Sequence, residues 1–247
     1  KITMNRYYAD LHIHTVLSPC GDLNMSPRKI LEQASKKGLD IIGITDHNST
    51  LQSRIIAQIA QEYGIYVLKG AEITSVEEVH CLCFLPDEQL DNFQDYVDTH
   101  LLKIPNKPDK LGYQVLVDEH EQIIRQIDHS LLSSLDQGVD QIREKVKSLH
   151  GLFIPAHINK TMFSMLSQLG FIPEEAGEDA LELSPHISKE EFVKKYPELK
   201  NKTFIQSSDA HYLPDIGKKS TLFKMKNRSF EEVRDALYFR EKRNVFI

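Results

Sequence analysis

The chain has 247 residues, of which 40% are hydrophobic and 27% charged, a composition typical of a soluble globular protein. Its apolar runs are far shorter than the roughly 20 residues that cross a bilayer, so we expect no membrane-spanning segment. The net charge of −6 argues against a general affinity for nucleic acids or membranes. Three cysteines are too few for a disulfide framework, which favours a reducing, cytoplasmic environment.

Strands and helices are predicted to alternate in the first third of the chain. The strands are expected at residues 7–14, 40–45, 65–68 and 78–85. Apolar residues at helical spacing predict helices over 26–38 and 51–63, with Gly38 and Gly64 at their ends. The second strand is almost wholly apolar, which is typical of a parallel strand covered on both faces.

A polar stretch at about 86–150 interrupts this alternation, and we predict that it is a helical insertion containing a small hairpin. Further strands are expected at 152–156, 180–183 and 203–208, with helices at about 162–169, 189–196 and 230–239. Seven strands with intervening helices indicate an α/β domain with a parallel core that closes into a barrel or nearly so. Residues 1–247 are therefore interpreted as a single domain that carries this insertion.

Two histidines alternate with apolar residues in the first predicted strand, Asp10-Leu-His-Ile-His14. Because side chains along a strand point to opposite faces in turn, His12 and His14 face the same way and can chelate one ion. Asp10 shares their face. We expect it to accept an N–H from one imidazole and so to fix the tautomer of that ring.

Other residues with metal-binding side chains lie in or directly after later strands: His47, Glu72, His80, His157, Asp209 and His211. In a parallel barrel the C-terminal ends of all strands meet at one face, so we expect these side chains to converge with His12 and His14. A nitrogen and oxygen donor set suits Zn²⁺, Mn²⁺ or Fe²⁺. Eight donors exceed the needs of one tetrahedral ion, so at least two divalent metal ions are expected.

The motifs that carry these residues are Asp10-Leu-His-Ile-His-Thr15, Gly43-Ile-Thr-Asp-His47, Gly70-Ala-Glu72, Pro155-Ala-His157 and Ser208-Asp-Ala-His211. In this order the chain resembles the PHP (polymerase and histidinol phosphatase) superfamily, except in the stretch at 86–150. The resemblance implies a distorted seven-stranded (βα)7 barrel. It also implies a site for up to three metal ions.

The resemblance also assigns ligands to each ion. It places His12, His14, Glu72 and Asp209 around the first ion. It places Glu72, His80 and His157 around the second, and His47 and His211 at the third. Catalysis is then expected from a metal-bound water together with Asp209.

The chain departs from the family pattern in the loop after the first strand. Many relatives carry a further His or Asp ligand there, whereas this loop offers Cys20 and Asp22. Cys20 matches the spacing of the family histidine, and Asp22 is the chemically commoner replacement. Both stay candidates for an additional metal ligand.

Lys160 is the candidate substrate-binding residue. Many relatives place an arginine three residues after the histidine of the fourth motif, and here that stretch reads Pro155-Ala-His-Ile-Asn-Lys160. A lysine keeps the positive charge without the planar two-pronged donor set, so we expect it to bind phosphate as a point charge. The helix predicted from 162 would add backbone N–H groups beside it. The alternative is a solvated lysine at a helix start.

A site for two or more metals suits hydrolysis at phosphorus. The expected function is a metal-dependent phosphoesterase, either a phosphatase or a nuclease, that hydrolyses a phosphomonoester with a metal-activated water. The expected partner is a small phosphorylated substrate or a short nucleic-acid end, and not a membrane. The alternatives are an amidohydrolase, whose first strand also carries His-x-His, and a non-catalytic metal-binding or polymerase-associated PHP module.

Overall fold

The computed structural model describes residues 3–173 and 178–247. Within them lie eleven strands: β1 (Asn5–Ile13), β2 (Ile41–Ile44), β3 (Tyr66–Thr74), β4 (His80–Phe84), β5 (Val115–Val117), β6 (Ile123–Gln126), β7 (Leu152–Pro155), β8 (Leu181–Leu183), β9 (Phe204–Gln206), β10 (Thr221–Met225) and β11 (Asn244–Phe246). The same residues form eight α-helices: α1 (Pro27–Lys36), α2 (Leu51–Ala60), α3 (Leu90–His100), α4 (Pro108–Leu111), α5 (Val139–Ser148), α6 (Met165–Leu169), α7 (Lys189–Lys195) and α8 (Phe230–Leu237).

Seven strands form one mixed sheet in the order β11-β10-β1-β2-β3-β4-β7. β1, β2 and β3 are parallel, and the other neighbours in this sheet are antiparallel. β8 and β9 form a separate parallel pair. Backbone hydrogen bonds connect β8 to the chain around β7, and β9 contacts β11. The sheet is therefore curled into a half-barrel, which confirms the α/β class, whereas the parallel core is limited to three strands.

The direction of β4 is opposite to the one expected for a barrel of parallel strands. Its register with β3 pairs Gly70 with Phe84 and Thr74 with His80, so the two strands form a hairpin. The physical reason is the short connection of residues 75–79, because a parallel pair needs a crossover of a dozen or more residues. His80 consequently lies at the start of β4, beside the C-terminal end of β3.

The first two helices have the predicted boundaries and termini. Pro27 occupies the first helical position of α1, and Gly38 follows the helix with a left-handed φ of 69°. α2 continues as a 3-10 turn to Gly64, whose φ is 65°. The helix predicted from 162 begins later, at Met165, because Ser164 caps it by accepting the N–H of Ser167.

Gly43 shows why β2 tolerates no side chain at its third position. A Cβ atom there would lie 2.4 Å from the carbonyl oxygen of Leu11 in the neighbouring strand. The glycine thus permits a close approach of β1 and β2, directly before the histidines at the end of β1.

The stretch at 86–150 contains α3, α4, the β5–β6 hairpin and α5, as the polar pattern predicts. Buried residues of α3 and α5, such as Phe93 and Ile142, share one hydrophobic cluster with Cys81 and Cys83 of β4. Both cysteines are fully buried and pack in the core. No helix in the ranges that the structure describes is long and apolar enough to cross a membrane.

Candidate metal centre

The two histidines at the end of β1 point their Nε2 atoms at each other. These atoms are 3.2 Å apart, and both rings are fully buried. The same two atoms lie 3.4 and 3.3 Å from Oε2 of Glu72. Two imidazole nitrogens and a carboxylate oxygen that converge in this way form a donor set for a divalent cation.

Glu72, near the end of β3, lies at the middle of the cluster and is 1% exposed. Its Oε2 is 3.3 Å from Nδ1 of His47, and its Oε1 is 2.9 Å from Nδ1 of His80 and 3.1 Å from Nε2 of His157. Burial alone would raise the pKa of Glu72, but the neighbouring imidazoles hold it well below its ordinary value. The carboxylate is therefore ionised, and its two oxygens can bridge two cations.

Asp209 closes the cluster on the side opposite β3. Its Oδ1 is 3.3 Å from Nε2 of His12. Its Oδ2 forms an ion pair with the ammonium group of Lys160. Burial opposes the charge of Asp209, but His12 and His14 outweigh it and hold the pKa of this carboxyl well below its usual range. His211 turns back onto the same residue, since its Nδ1 donates to the Asp209 carbonyl oxygen at 2.9 Å.

Three sets of residues bring their donor atoms within 4.8 Å of one another: His12, His14 and Asp209; His47, Glu72 and His80; and His14, Cys20, His47 and His211. His157 lies beside the second set through its contact with Glu72. Of the two loop candidates, the structure brings Cys20 to the cluster. The Asp22 carboxylate instead accepts the backbone N–H of Asn24 at 2.7 Å, within a turn.

Glu182, on β8, is the functional residue that the sequence analysis missed. Its carboxylate oxygens lie 3.0 and 3.1 Å from Nδ1 of His12. Because a carboxylate only accepts, this Nδ1 carries the hydrogen, and Nε2 is the ring nitrogen that faces the centre. Asp10, which was expected in this role, instead accepts the backbone N–H groups of Ser208 and Gly217.

A second hydrogen-bonded chain orients His14. Its Nδ1 lies 3.0 Å from the Ser18 hydroxyl, which in turn donates to Asp46 at 2.6 Å. Since the hydroxyl hydrogen is used by Asp46, the Nδ1 of His14 is the donor to Ser18. His14 therefore also turns its Nε2 toward the centre.

The remaining buried nitrogens support the same conclusion. Among the described residues, Nδ1 of His47 and Nδ1 of His157 have no hydrogen-bond partner. Burial lowers the pKa of His47 well below its ordinary value and that of His211 to about 4, so both rings are neutral. Neutral imidazoles with free ring nitrogens, placed around buried carboxylates, fit metal ligation.

Comparison with protein families agrees with this geometry. The model of the PHP domain matches residues 10–163, which is more than half of the chain. The chain belongs to the PHP family. A second model, described as PHP-associated, matches residues 191–241. The resemblance inferred from the five sequence motifs is thereby confirmed.

Two curated relatives of this PHP chain are each matched over part of their length. An uncharacterized protein of Methanocaldococcus jannaschii is 39% identical over 77 residues, which cover 28% of this chain and 45% of the relative. The uncharacterized protein YqxK of Bacillus subtilis is 25% identical over 282 aligned positions, which cover 98% of this chain and 64% of YqxK. The chain thus spans about half to two thirds of these relatives.

Solved structures show the same fold. The lesion-specific endonuclease Q of Pyrococcus furiosus superposes with a TM-score of 0.76 at 20% identity, covering 98% of this chain and 58% of the endonuclease. A two-domain protein of Bacteroides vulgatus, described as containing a predicted PHP-like metal-dependent phosphoesterase, superposes with a TM-score of 0.60 at 19% identity. The match covers 99% of this chain and 65% of the Bacteroides protein. At these identities the likeness is one of fold.

Three of the ten described non-glycine residues with positive φ lie at the centre of this PHP chain. His157, Asp209 and Phe163 have positive φ values of 30°, 55° and 56°. A non-glycine residue in this region costs about 1–3 kcal/mol and persists only where its surroundings hold it. His157 and Asp209 carry donor groups, and Phe163 stacks on His80, so the strain lies where side chains must be aimed at the centre.

Proposed function

We propose that this PHP chain is a metal-dependent phosphoesterase that hydrolyses a phosphomonoester carried by a small metabolite or by the end of a nucleotide or oligonucleotide. The observation that supports the proposal most is the arrangement around Glu72, whose two carboxylate oxygens contact five histidines. We further propose a cytoplasmic location and two to three divalent ions of zinc, manganese or iron.

Each ion would be held by one of the clustered sets. His12, His14 and Asp209 would hold one ion, and His47, Glu72 and His80 a second, with His157 beside it. Cys20 and His211 would complete a third site with His14 and His47. When bound, such ions supply Lewis acidity and lower the pKa of a coordinated water.

The protein's own groups then bind the phosphate and move the proton. Burial opposes the charge of Lys160, but Asp209, Glu72 and Glu182 outweigh it and raise its pKa, so the ammonium group stays charged to bind a phosphate oxygen. The water oxygen forms a bond to phosphorus while one water proton passes to the Asp209 carboxylate. The phosphorus–oxygen bond of the ester breaks, and the leaving oxygen takes up the proton held by Asp209, which restores the carboxylate. The products are an alcohol and inorganic phosphate.

The test compares wild-type protein with Glu72→Ala after reconstitution with Mn²⁺ or Zn²⁺, on a panel of phosphomonoesters. Without its bridging carboxylate the variant should lose more than about 100-fold in kcat/KM, since even groups that only orient ligands are worth about 10–100-fold. Its metal content should fall to at most one ion per chain. The matched control is Glu88→Ala, which removes an exposed carboxylate.

Three outcomes would contradict the proposal. Reconstituted wild-type protein that hydrolyses amides and no phosphate ester would support the amidohydrolase alternative. Protein that binds metal tightly and hydrolyses neither class would support a non-catalytic module. Wild-type activity of Glu72→Ala would show that the site is placed on the wrong residues.

A further inference from the structure

Two cavities open at the metal centre and share part of their lining. One has a volume of about 480 Å³ and the other about 420 Å³, and Lys160, Asp209 and His211 line both of them. A phosphate bound at Lys160 would therefore border both cavities. Each cavity falls in the usual size range of small-molecule sites.

The smaller cavity, called here the apolar cavity, is walled by Leu132, Met162 and Phe163. These side chains are 37%, 64% and 39% exposed although they are large and hydrophobic. The Phe163 ring stacks on the His80 ring with centroids 4.8 Å apart and an interplanar angle of 14°. The backbone N–H of His80 also donates to the Phe163 carbonyl oxygen at 2.9 Å. The aromatic wall is thus fixed to the centre.

The larger cavity, called here the basic cavity, has the opposite character. His186, Lys218 and Lys219 line it together with Lys160. Two carboxylates of this cavity are already paired, Asp209 with Lys160 and Asp215 with Lys218. Lys219 makes no ion pair or hydrogen bond with any described residue. In a chain of net charge −6, this local excess of positive charge suits an anionic ligand.

We infer that the substrate is a nucleotide chain that occupies both cavities at once. The phosphate that reacts lies at Lys160, a base lies against Met162 and Phe163, and the neighbouring phosphate lies against Lys218 and Lys219. The inference rests on the proposed function and names its substrate class. A small phosphorylated metabolite would fill one cavity and leave the other uncovered, whereas a nucleotide chain has the aromatic ring and the second phosphate that the two walls require.

The first experiment measures kcat/KM for p-nitrophenyl phosphate and for hexathymidylate with a terminal phosphate, using reconstituted protein. The variant Lys218→Ala/Lys219→Ala should lose roughly 5–30-fold on the oligonucleotide and little on p-nitrophenyl phosphate, which has no second phosphate. The salt dependence of the oligonucleotide reaction should also weaken, with a log–log slope smaller by about 0.7 for each lost phosphate contact. The control is Lys224→Ala, an exposed lysine paired in register with Arg6 on β1.

The second experiment tests the apolar wall with Met162→Ala, chosen because this exposed side chain lies beside the cluster without belonging to it. Loss of a stacking surface should lower kcat/KM by about 5–150-fold on hexathymidylate. The loss should be much smaller on an oligonucleotide whose terminal nucleotide lacks its base. Phe163→Ala should give the same pattern, with metal content measured because Phe163 touches His80.

Binding of fluorescein-labelled hexathymidylate, followed by anisotropy, separates this inference from the proposed function. Wild-type binding that weakens in the lysine double variant supports the inference even if no ester is hydrolysed. If the lysine variant and Met162→Ala treat both substrates as the wild type does, the inference is wrong while the phosphoesterase proposal stands. Equal losses on p-nitrophenyl phosphate and on the oligonucleotide would also overturn it, since they would indicate general damage to the centre.

Discussion

Lys160 lies between the metal cluster and both cavities, and in the structure its ammonium group pairs with Asp209. We predict that Lys160→Ala lowers kcat/KM by about 10–150-fold, because a charge-assisted hydrogen bond to phosphate contributes roughly 1.5–3 kcal/mol. Metal content should not change, as measured by elemental analysis. The control is Lys200→Ala at an exposed position. An unchanged kcat/KM would return Lys160 to the role of a solvated lysine.

The helix N-terminus that the sequence predicts beside Lys160 is not there in the structure. Because α6 begins only at Met165, Lys160 lies in the preceding loop, where its backbone N–H donates to the His157 carbonyl oxygen. The free N–H groups of a helix start are therefore not beside it. Its side-chain charge remains the physical basis for phosphate binding.

The second prediction for a single residue concerns Glu182, whose carboxylate contacts Nδ1 of His12. Glu182→Gln removes the negative charge behind His12 and allows the amide to present a donor to Nδ1, so His12 loses its orientation. Metal affinity should fall by about 10–100-fold, measured by competition with a chelating dye. Glu190→Gln, an exposed residue of α7, is the control. Equal affinities of Glu182→Gln and wild type would show that His12 is oriented by other contacts.

The sequence predicts candidate metal-binding residues where a local pattern, such as strand alternation, identifies them. It does not predict the distant residues that orient them. His12 and His14 are identified by strand alternation, and the same alternation places them on one face. The hydrogen bond from His12 to Glu182 joins residues 170 positions apart, so no local spacing encodes it. A signal was nevertheless present, since Glu182 is a charged residue between two buried leucines of β8. An ionisable group within an apolar strand indicates a buried partner.

At the scale of elements, all seven predicted strands are present. The prediction was wrong about the direction of β4, and it did not include the strands that extend the sheet beyond β1. The hairpin of β3 and β4 follows from the short connection at 75–79, a constraint that could have been applied to the sequence. β10 was missed because its alternation covers only Thr221–Met225, too few residues to separate a strand from a loop. The pairing of β10 with β1 joins distant parts of the chain, which local patterns do not report.

The ion pair between Glu232 of α8 and Arg243 fixes the last helix to the chain before β11. Arg243 donates to both carboxylate oxygens, at 2.8 and 2.7 Å, and both side chains are largely buried. We predict that Glu232→Ala lowers the free energy of unfolding at pH 7 by about 3 kcal/mol, because it leaves the guanidinium group without this buried partner. Urea unfolding measures the change. Glu231→Ala, the exposed neighbour in the same helix turn, should cost much less.

The same pair predicts the pH dependence. Hydrogen bonds from Arg243 hold the pKa of Glu232 below its ordinary value. A carboxyl whose pKa is lowered by folding stabilises the protein above its ordinary pKa of about 4.3, and this stabilisation is lost as the pH falls through the folded value. The difference between wild type and Glu232→Ala should therefore shrink between about pH 5 and pH 3. A constant difference over this range would exclude the charged pair as its cause.

For the whole molecule, the metal centre ties together strands from both halves of the chain. A ligand present at 100 times its Kd stabilises the folded state by about 2.7 kcal/mol. For a chain of this size that corresponds to a rise in Tm of roughly 5–10 °C. We predict such a rise when Mn²⁺ or Zn²⁺ is added to chelator-treated protein, measured by calorimetry. Glu72→Ala should show almost none of it, and an equal rise in that variant would place the bound metal elsewhere.

The spread of the donor residues along the chain also sets the order of events during synthesis. His12, His14, His47, Glu72 and His80 leave the ribosome early, but Asp209 and His211 follow only after a long stretch of further chain. At about 5–20 residues per second, the intervening residues take roughly 6–25 s to add. Throughout that time the nascent chain holds an incomplete set of donor groups, with Asp209 and His211 still missing. A complete donor set is thus present only after Asp209 and His211 have been made, and a ribosome that stops before them releases a chain that lacks both residues.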